Sequence, residues 1–223
     1  MLSQPVKLTR KEILGFRRTI YSYYKKHQRQ LPWRETSDPY CITVSELMLQ
    51  QTQVDRVIDK YNLFIREFPD FAALAQASLL DVLRVWQGLG YNRRAKALRE
   101  IAIKVMNDYK GILPSSPDLL KTFPGIGPYT AQAITAFAFN KPAVFIETNI
   151  RCVYIHFFFN SRTEVKDGDI FPVVEQTLDS GNPRKWYSAL MDYGVMLKKE
   201  HLNPGRKSAH YSKQSRFEGS DRQ

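Results

Sequence analysis

The sequence predicts an all-α protein, and three observations support this. Apolar residues recur at helical spacing along nearly the whole chain, beginning with Ile13, Phe16 and Ile20. Cap and breaker residues divide this pattern into segments of helical length. Alternation typical of strands is scarce, and the run 143–146 is its main ambiguous stretch. The chain is therefore expected to consist of helices joined by short loops.

The helices can be placed in order from their start and stop signals. Thr9 and Glu12 form a capping box that starts the first helix. That helix ends at residues 31–33, because the proline there cannot continue it. Ser78 is a cap, and Pro117 fits a first helical position. The later predicted helices span 43–67, 78–89, 92–110, 116–123, 128–140, 148–159, 168–179 and 184–199.

The charge balance narrows the class of partner. The chain has 33 lysine and arginine residues against 22 acidic residues, a net charge of +11. Such an excess of positive charge favours a polyanionic partner. Nucleic acid is the first candidate, and an anionic membrane surface is the second. No run of about 18 apolar residues predicts a membrane span, and the basic residues face no apolar stripe. Residues 1–5 lack the core of a signal peptide. A cytoplasmic protein, nucleoid-associated in a prokaryote, is expected.

Cysteine usage and the last segment carry less information. Cys41 and Cys152 are the only cysteines in the sequence, too few for a disulfide framework or a metal site, and we interpret them as buried apolar side chains. Segment 198–223 has seven lysine and arginine residues against three acidic ones and includes Tyr211 and Phe217. A solvated tail and an arm that follows phosphates are both open interpretations.

The segment 123–131, Phe-Pro-Gly-Ile-Gly-Pro-Tyr-Thr-Ala, is the most informative local feature. It lies between a short predicted helix and an apolar one. Gly125 and Gly127 would allow a tight turn with positive φ and close approach of another backbone. The N–H groups that open the second helix suit a phosphate, in contacts independent of base sequence. An ordinary helix–turn–helix connection without a ligand is the alternative.

This turn resembles the Pro-Gly-Ile/Val-Gly hairpin of the helix-hairpin-helix (HhH-GPD) DNA glycosylases. The block SELMLQQTQV at 45–54 is the most specific of four further matches. The others are LPWR at 31–34 followed by DPY at 38–40, GLGYNRRA at 88–95 and LMDYG at 190–194. Together they resemble the MutY-type adenine glycosylases, over roughly residues 28–197.

The resemblance implies a fold, a substrate and an activity. Two helical domains would flank a DNA-binding cleft. Residues 30–143 would form a six-helix barrel that contains the hairpin. Residues 1–29 and 144–223 would together form the second domain. The partner would be double-stranded DNA with a mispaired or damaged base, bound by a monomer. The activity would be that of a monofunctional N-glycosylase, with adenine opposite guanine or 8-oxoguanine as its target.

The resemblance also assigns roles to individual residues. Glu46 matches the glutamate that protonates the target purine. Gln50 and Gln51 match glutamines that enter the DNA stack, and Tyr91 matches a tyrosine beside the lesion pocket. The remaining DNA contacts expected from the matching segments are Gly125 and Gly127 of the hairpin, with Arg93, Thr130 and Asn149.

The chemistry of base removal supports these roles. The target base must leave the duplex stack, and it departs poorly unless an acid protonates it. A second, ionised carboxylate is needed to stabilise the oxocarbenium character of the sugar. Two acids with opposite protonation states require different environments. Glu46 stands among apolar residues, which favours burial and a raised pKa; a surface ion pair is the alternative.

Glu147 is the first departure from the family pattern, which has aspartate at this position. The extra methylene adds about 1.5 Å of reach. The carboxylate would either act in catalysis or only cap the next helix. In the second case the chain would be a non-catalytic DNA-binding module.

Two other departures concern the lysine that lyase-competent relatives use as an amine and the cysteines that hold the family's iron–sulfur cluster. Tyr129 stands where lyase-competent relatives carry lysine, and Lys121 and Lys141 are its nearest substitutes in sequence. Tyrosine here is reminiscent of thymine mismatch glycosylases, so removal of thymine or uracil opposite guanine stays open. The family's iron–sulfur cysteines should follow Met196, but no cysteine follows Cys152. We therefore expect no cluster and no other cofactor, with the basic tail in place of the cluster loop.

Overall fold

The protein, described here as a computed structural model for residues 6–200 and 202–211, is all-α, as the sequence predicted. Extended pairing within these ranges is limited to an isolated bridge between Val165 and Ser208. The helices are α1 Arg10–His27, α2 Pro39–Met48, α3 Val54–Glu67, α4 Phe71–Gln76, α5 Leu79–Trp86, α6 Arg93–Tyr109, α7 Pro117–Leu120, α8 Pro128–Phe139, α9 Thr148–Phe158, α10 Asp167–Thr177 and α11 Pro183–Glu200. Short 3-10 helices cover Pro32–Arg34 and Pro204–Lys207.

The structure differs from the prediction in the first half of the chain. The single helix expected over 43–67 is two helices, α2 and α3, separated by a turn in which Gln51 has a positive φ of 56°. Helix α4 was not predicted; it starts where the Asp70 side chain accepts a hydrogen bond from Ala73 N at 2.7 Å. The ambiguous run 143–146 is irregular rather than a strand, although Phe145 and Ile146 are buried.

Helix α2 lies at the centre of the fold and carries Glu46. The Asp38 carboxylate caps its start and accepts hydrogen bonds from the backbone N–H groups of Tyr40 and Cys41. Eight of its ten residues are buried, so α2 packs on several sides. A carboxyl group on such a helix is withdrawn from water.

Two clusters of buried apolar side chains form the core. The first is built from α2 to α8 and includes Phe64, Trp86 and Leu98. The second is built from α1 and α8 to α11 and includes Trp186 and Leu190. Helix α8 contributes to both clusters and connects them. The domain limits expected at residues 29–30 and 143–144 stay predictions.

Residues 202–211 pack against the second cluster and are not a solvated tail. Val165 N donates to Lys207 O at 2.8 Å, and Ala209 N donates to Val165 O at 2.9 Å. The rest of the predicted basic arm, including Lys213, Arg216, Phe217 and Arg222, lies outside the described residues. Across 6–200 and 202–211, no helix combines the length and hydropathy that a bilayer span requires.

Candidate active site

A cavity of about 950 Å³ is lined by residues from both ends of the chain. Its walls include three of the residues for which the sequence predicted chemistry, Glu46, Tyr129 and Glu147. Asn149 and Lys198 line it as well. The fold thus brings residues that are more than a hundred positions apart in sequence to one cavity.

Glu46 enters the cavity from the buried helix α2 and is only 8% exposed. Burial first, and then the negative charge of Glu147, raises the pKa of Glu46 to about 8. The side chain is therefore a protonated acid at neutral pH. The alternative interpretation, a surface ion-pair residue, is wrong.

Glu147 is the N-cap of α9 and faces the same cavity. Its Oε1 accepts hydrogen bonds from Asn149 N at 2.6 Å and Ile150 N at 2.8 Å. Its Oε2 accepts one from Asn149 Nδ2 at 3.2 Å. The pKa of Glu147 lies above its ordinary value, because burial outweighs the opposing effect of the backbone hydrogen bonds and of the charges of Lys198 and Arg151. The helix cap and the cavity position coexist, so the two interpretations of Glu147 do not exclude each other.

Tyr129 is the second residue of α8, and its ring meets the Phe145 ring edge-on with centroids 5.5 Å apart. Burial, with the negative charges of Glu46 and Glu147, raises the pKa of the Tyr129 phenol well above its ordinary value of 10. It is a neutral hydroxyl and no substitute for an amine.

The lysines nearest to Tyr129 in sequence have partners elsewhere. Lys121 pairs with Asp118 at 2.7 Å, and Lys141 donates to Ser115 Oγ at 2.6 Å. Two lysines line the cavity, Lys185 and Lys198, and sequence reasoning singled out neither for the site.

The turn after α2 meets the hairpin before α8. Gln50 Nε2 donates to Gly125 O at 3.1 Å and to Thr130 Oγ1 at 3.2 Å. Thr130 is buried, so it supports Gln50 in this structure rather than facing solvent. Gln51 is exposed and has the positive φ noted above. A non-glycine residue in that conformation is uncommon and is typical of functional turns.

Tyr91 projects from the loop before α6. It is 53% exposed and has a φ of 50°. The guanidinium groups of Arg93 and Arg94 lie 5.9 Å and 5.3 Å from the centre of its ring. An exposed aromatic ring with an adjacent cation suits contact with an unstacked base or a phosphate.

The two hairpin glycines have different reasons to be glycine. Gly125 has a φ of 73°, and a Cβ there would lie 3.0 Å from Ala97 Cβ. Gly127 is the N-cap of α8, with an ordinary φ of −82°, and a Cβ there would meet open space. The prediction that both glycines supply positive φ is wrong for Gly127. Its open side leaves room for a ligand to approach the N-terminus of α8.

Sequence reasoning missed Arg94, a buried residue that connects two loops of the site. Its guanidinium donates six hydrogen bonds, of 2.5 to 3.3 Å, to atoms in segments 47–52 and 89–90. The first segment holds Gln50 and Gln51, and the second leads directly to Tyr91. The second arginine of the GLGYNRRA block was the available signal. Planar donors in a fixed fork are well suited to bind several carbonyl oxygens at once.

Comparisons with known proteins agree with this arrangement. A family profile described as HhH-GPD superfamily base excision DNA repair protein matches residues 44–169, more than half of the chain. The chain is 42% identical over 135 residues to the adenine DNA glycosylase of Mycobacterium tuberculosis (strain ATCC 25618 / H37Rv), covering 60% of this chain and 44% of that protein. It is 34% identical over 186 residues to the adenine DNA glycosylase of Buchnera aphidicola subsp. Baizongia pistaciae, covering 82% and 53%. The chain thus spans about half the length of these relatives.

Solved structures share the fold. A thermostable thymine-DNA glycosylase superposes with a TM-score of 0.73 and 27% identity, covering 83% of this chain and 87% of the other. Endonuclease III in a non-covalent complex with DNA gives a TM-score of 0.65 at 18% identity, covering 88% of each chain, a likeness of fold alone. From the profile match, the fold and the residues of the cavity, the chain belongs to the HhH-GPD superfamily of base excision DNA repair proteins.

Proposed function

We propose that the protein is a monofunctional DNA N-glycosylase that removes adenine mispaired with guanine or 8-oxoguanine. The observation that carries this proposal is the pair of carboxyl groups in one cavity. Glu46 has a pKa of about 8 and stays protonated. Burial also raises the pKa of Glu147 above its ordinary value, but three hydrogen bonds to its oxygens and the charges of Lys198 and Arg151 oppose that rise, so we assign Glu147 as the ionised partner. Two acids with opposite protonation states are what hydrolysis of an N-glycosidic bond requires.

The reaction would divide between these two groups. Glu46 gives its proton to a ring nitrogen of the flipped base as the bond between that base and C1′ breaks. The Glu147 carboxylate stabilises the positive charge that develops on the sugar. Water then adds its hydroxyl to C1′, and the proton it releases restores the acid. The products are the free base and an abasic site.

Two lines of support favour adenine. The relatives that are 34–42% identical to this chain are named adenine DNA glycosylases. A purine also needs protonation at a ring nitrogen to leave, and Glu46 is the buried acid of the cavity. A monomer that acts on cytoplasmic or nucleoid DNA is the state we expect.

Binding would rest on phosphates and on residues that enter the duplex. The net charge of +11 and the open N-terminus of α8 favour the DNA backbone. Gln51 and Tyr91 are exposed on turns connected by Arg94, in position to fill the space left by a flipped base. Gln50 would have to exchange its contacts with Gly125 and Thr130 for contacts with DNA.

We also propose that the enzyme works without an iron–sulfur cluster. Four thiolates hold such a cluster in the family, and the residues of this chain do not fit one. Cys41 packs against the first apolar cluster, whereas Cys152 belongs to the second. Residues 202–211 instead form backbone hydrogen bonds with Val165, and their 3-10 helix packs against α9. Purified protein should be colourless, and stoichiometric iron would overturn this proposal.

The proposed activity can be tested with labelled duplexes that hold each mispair in turn, scored for alkali-labile sites. Adenine release opposite guanine or 8-oxoguanine, with its loss in Glu46→Gln, is the expected result. Borohydride should trap no covalent adduct, because Tyr129 is not an amine. A robust adduct would contradict the monofunctional assignment.

A second candidate is removal of thymine or uracil opposite guanine. Tyr129 in the cavity and the structural match to a thymine-DNA glycosylase favour it. Thymine or uracil release that persists in Glu46→Gln would establish this alternative, because a pyrimidine can leave without that acid. If the wild-type protein binds mispairs but releases no base, the protein is a non-catalytic DNA-binding module.

A further inference from the structure

Lys198 is the far end of a short series of contacts that leads to Glu147. Its Nζ donates to Asn149 Oδ1 at 2.7 Å, and Asn149 Nδ2 donates to Glu147 Oε2 at 3.2 Å. Lys198 lies near the end of α11, where the family resemblance would place the start of the cysteine segment. It is partly buried and lines the same cavity as Glu147.

The chemistry of the lysine fixes the direction of the asparagine amide. An ammonium group can only donate hydrogen bonds, so Asn149 must turn its oxygen toward Lys198. Its NH₂ group is then directed at the Glu147 carboxylate. Without the lysine, the Glu147 carboxylate alone would orient the amide, and the positive charge that reinforces this orientation would be lost.

Close packing of the α9 and α11 backbones brings Lys198 near Asn149 and Glu147. A Cβ on Gly194 of α11 would lie 2.4 Å from Asn149 O and 2.7 Å from Asn149 Cβ. Helices α9 and α11 therefore meet more closely than any other residue at 194 would allow. This approach lets a side chain from α11 reach the first turn of α9.

Ionisable groups from four helices face Glu147. The groups that face it are Glu46 of α2, Tyr129 of α8, Arg151 and Cys152 of α9, and Lys198 of α11. Arg151 is held by Asp167 through two hydrogen bonds of 2.7 Å, which offset its charge. Burial lowers the pKa of Lys198, while the nearby Glu147 acts to raise it.

We propose that Lys198 is a positioning residue for the proposed reaction, which orients Asn149 and through it holds Glu147 ionised toward the sugar. This inference rests on the proposed function. A residue near the end of α11, where the family's cysteine segment would begin, would thereby assist catalysis. In this role the lysine contacts neither the base nor the sugar.

The test compares Lys198→Met with Lys199→Met, which removes the same charge from the next, exposed position of α11. The first readout needs no substrate: the titration of Glu147, followed by carboxyl ¹³C NMR of glutamate-labelled protein and assigned with Glu147→Gln. Glu147 should titrate at higher pH in Lys198→Met and as in wild type in Lys199→Met. An unchanged titration in Lys198→Met would overturn the proposal, whether or not the protein proves to be a glycosylase.

The second readout is the single-turnover rate of adenine release as a function of pH. Lys198→Met should lower the rate about tenfold at neutral pH, the worth of one hydrogen bond to a charged group, and move the acidic limb to higher pH. Lys198→Arg should restore most of the rate. Lys198→Gln keeps a donor without charge and serves if the methionine variant does not fold. A lower rate with an unmoved acidic limb in either uncharged variant would contradict the proposal, and inactive wild type would refute the proposed function alone.

Discussion

Arg34 binds Asp192 through two parallel hydrogen bonds, from Nη1 to Oδ2 at 2.8 Å and from Nη2 to Oδ1 at 2.9 Å. Arg29 adds two more, from its backbone N and its Nε. The side chain of Asp192 is 1% exposed. The LPWR and LMDYG blocks, which the sequence showed as separate short matches, are therefore parts of one ion cluster, and both of its arginines line the cavity.

Asp192→Asn should destabilise the fold in a pH-dependent way. Burial acts to raise the pKa of Asp192, but the bonds and charges of Arg34 and Arg29 hold it below its ordinary value. The stabilisation is therefore present above that ordinary value, near 3.8, and is lost as pH falls through the lower folded pKa. We expect a loss of about 2–4 kcal/mol in the free energy of unfolding at pH 7, measured by urea denaturation.

A control for this prediction is Glu67→Gln. In the ion pair of Glu67 with Arg66, the side chains are 48% and 73% exposed, respectively. Such exposed pairs contribute about 0.5 kcal/mol or less to the free energy of unfolding. Equal losses in the two variants, or a loss in Asp192→Asn that does not diminish as the pH falls below 3.8, would contradict the assignment.

Gly194→Ala should separate α9 from α11. The added Cβ would meet the backbone oxygen of Asn149 at 2.4 Å, and backbone cannot move aside as a flexible side chain would. We expect a loss of about 2–3 kcal/mol in the free energy of unfolding. Gly15→Ala in α1 is the matched change, since a Cβ there has nothing within 4 Å; it should stabilise by about 0.5–1 kcal/mol. Thermal melts of both variants decide between these signs.

Arg94→Lys should weaken recognition of the mispair. Lysine carries three donors on one atom and cannot reach both loops that the arginine connects with six hydrogen bonds. The turn with Gln51 would then move independently of Tyr91. We expect roughly tenfold weaker binding of a mispaired duplex, by fluorescence anisotropy. Arg84→Lys, at an exposed arginine of α5, should bind like wild type, and equal affinity of both variants would refute the role of Arg94.

The hairpin glycines should separate folding from binding. Gly125→Ala places a residue with a Cβ at a φ of 73° and within 3.0 Å of Ala97, so it should lower stability by about 1–2 kcal/mol. Gly127→Ala has ordinary φ and open space; it should leave stability nearly unchanged. If a phosphate approaches Gly127, the second variant should still bind duplex more weakly and with a smaller salt dependence. Wild-type affinity in Gly127→Ala would remove the hairpin from the interface.

Local signals were enough for the features that depend on neighbours in sequence. The cap at Thr9, the helical spacing along α6 and the glycine turn before α8 are all determined within a few residues. The break at 49–53 was not predicted in this way, because its four consecutive polar residues, 50–53, include neither the proline nor the glycine that usually indicates the end of a helix. The Gln50 carbonyl in this turn is bound by Arg94, more than forty residues away.

The same limit applies to the cavity. Glu46 could be predicted from its block and its apolar neighbours, but its partners could not. The reach of Lys198 to Asn149 depends on how closely two helices pack, and that distance depends on Gly194. Nothing near residue 198 in the sequence indicates a contact with Asn149.

Glu46→Gln should slow turnover strongly and at the same time stabilise the protein. The folded pKa of Glu46, about 8, lies above its ordinary value of 4.5. The wild-type protein is therefore most stable relative to unfolding below that ordinary value and loses stability as pH rises toward 8, because the folded state keeps a proton that the unfolded chain releases. Glutamine has nothing to ionise. The variant should match wild type near pH 4 and exceed it by more than about 1 kcal/mol at pH 8.

The pH dependence of the reaction rate should also report the ionisation of Glu46. Wild-type single-turnover rates should fall above about pH 8, as Glu46 loses the proton it must donate, and Glu46→Gln should be slower by about 10² or more while it binds duplex normally. Glu12→Gln, at an exposed acid of α1, should change neither the alkaline limb nor the rate. If Glu46→Gln is less stable than wild type at pH 8, or if the alkaline limb persists in its residual activity, then Glu46 is not the buried acid of the reaction.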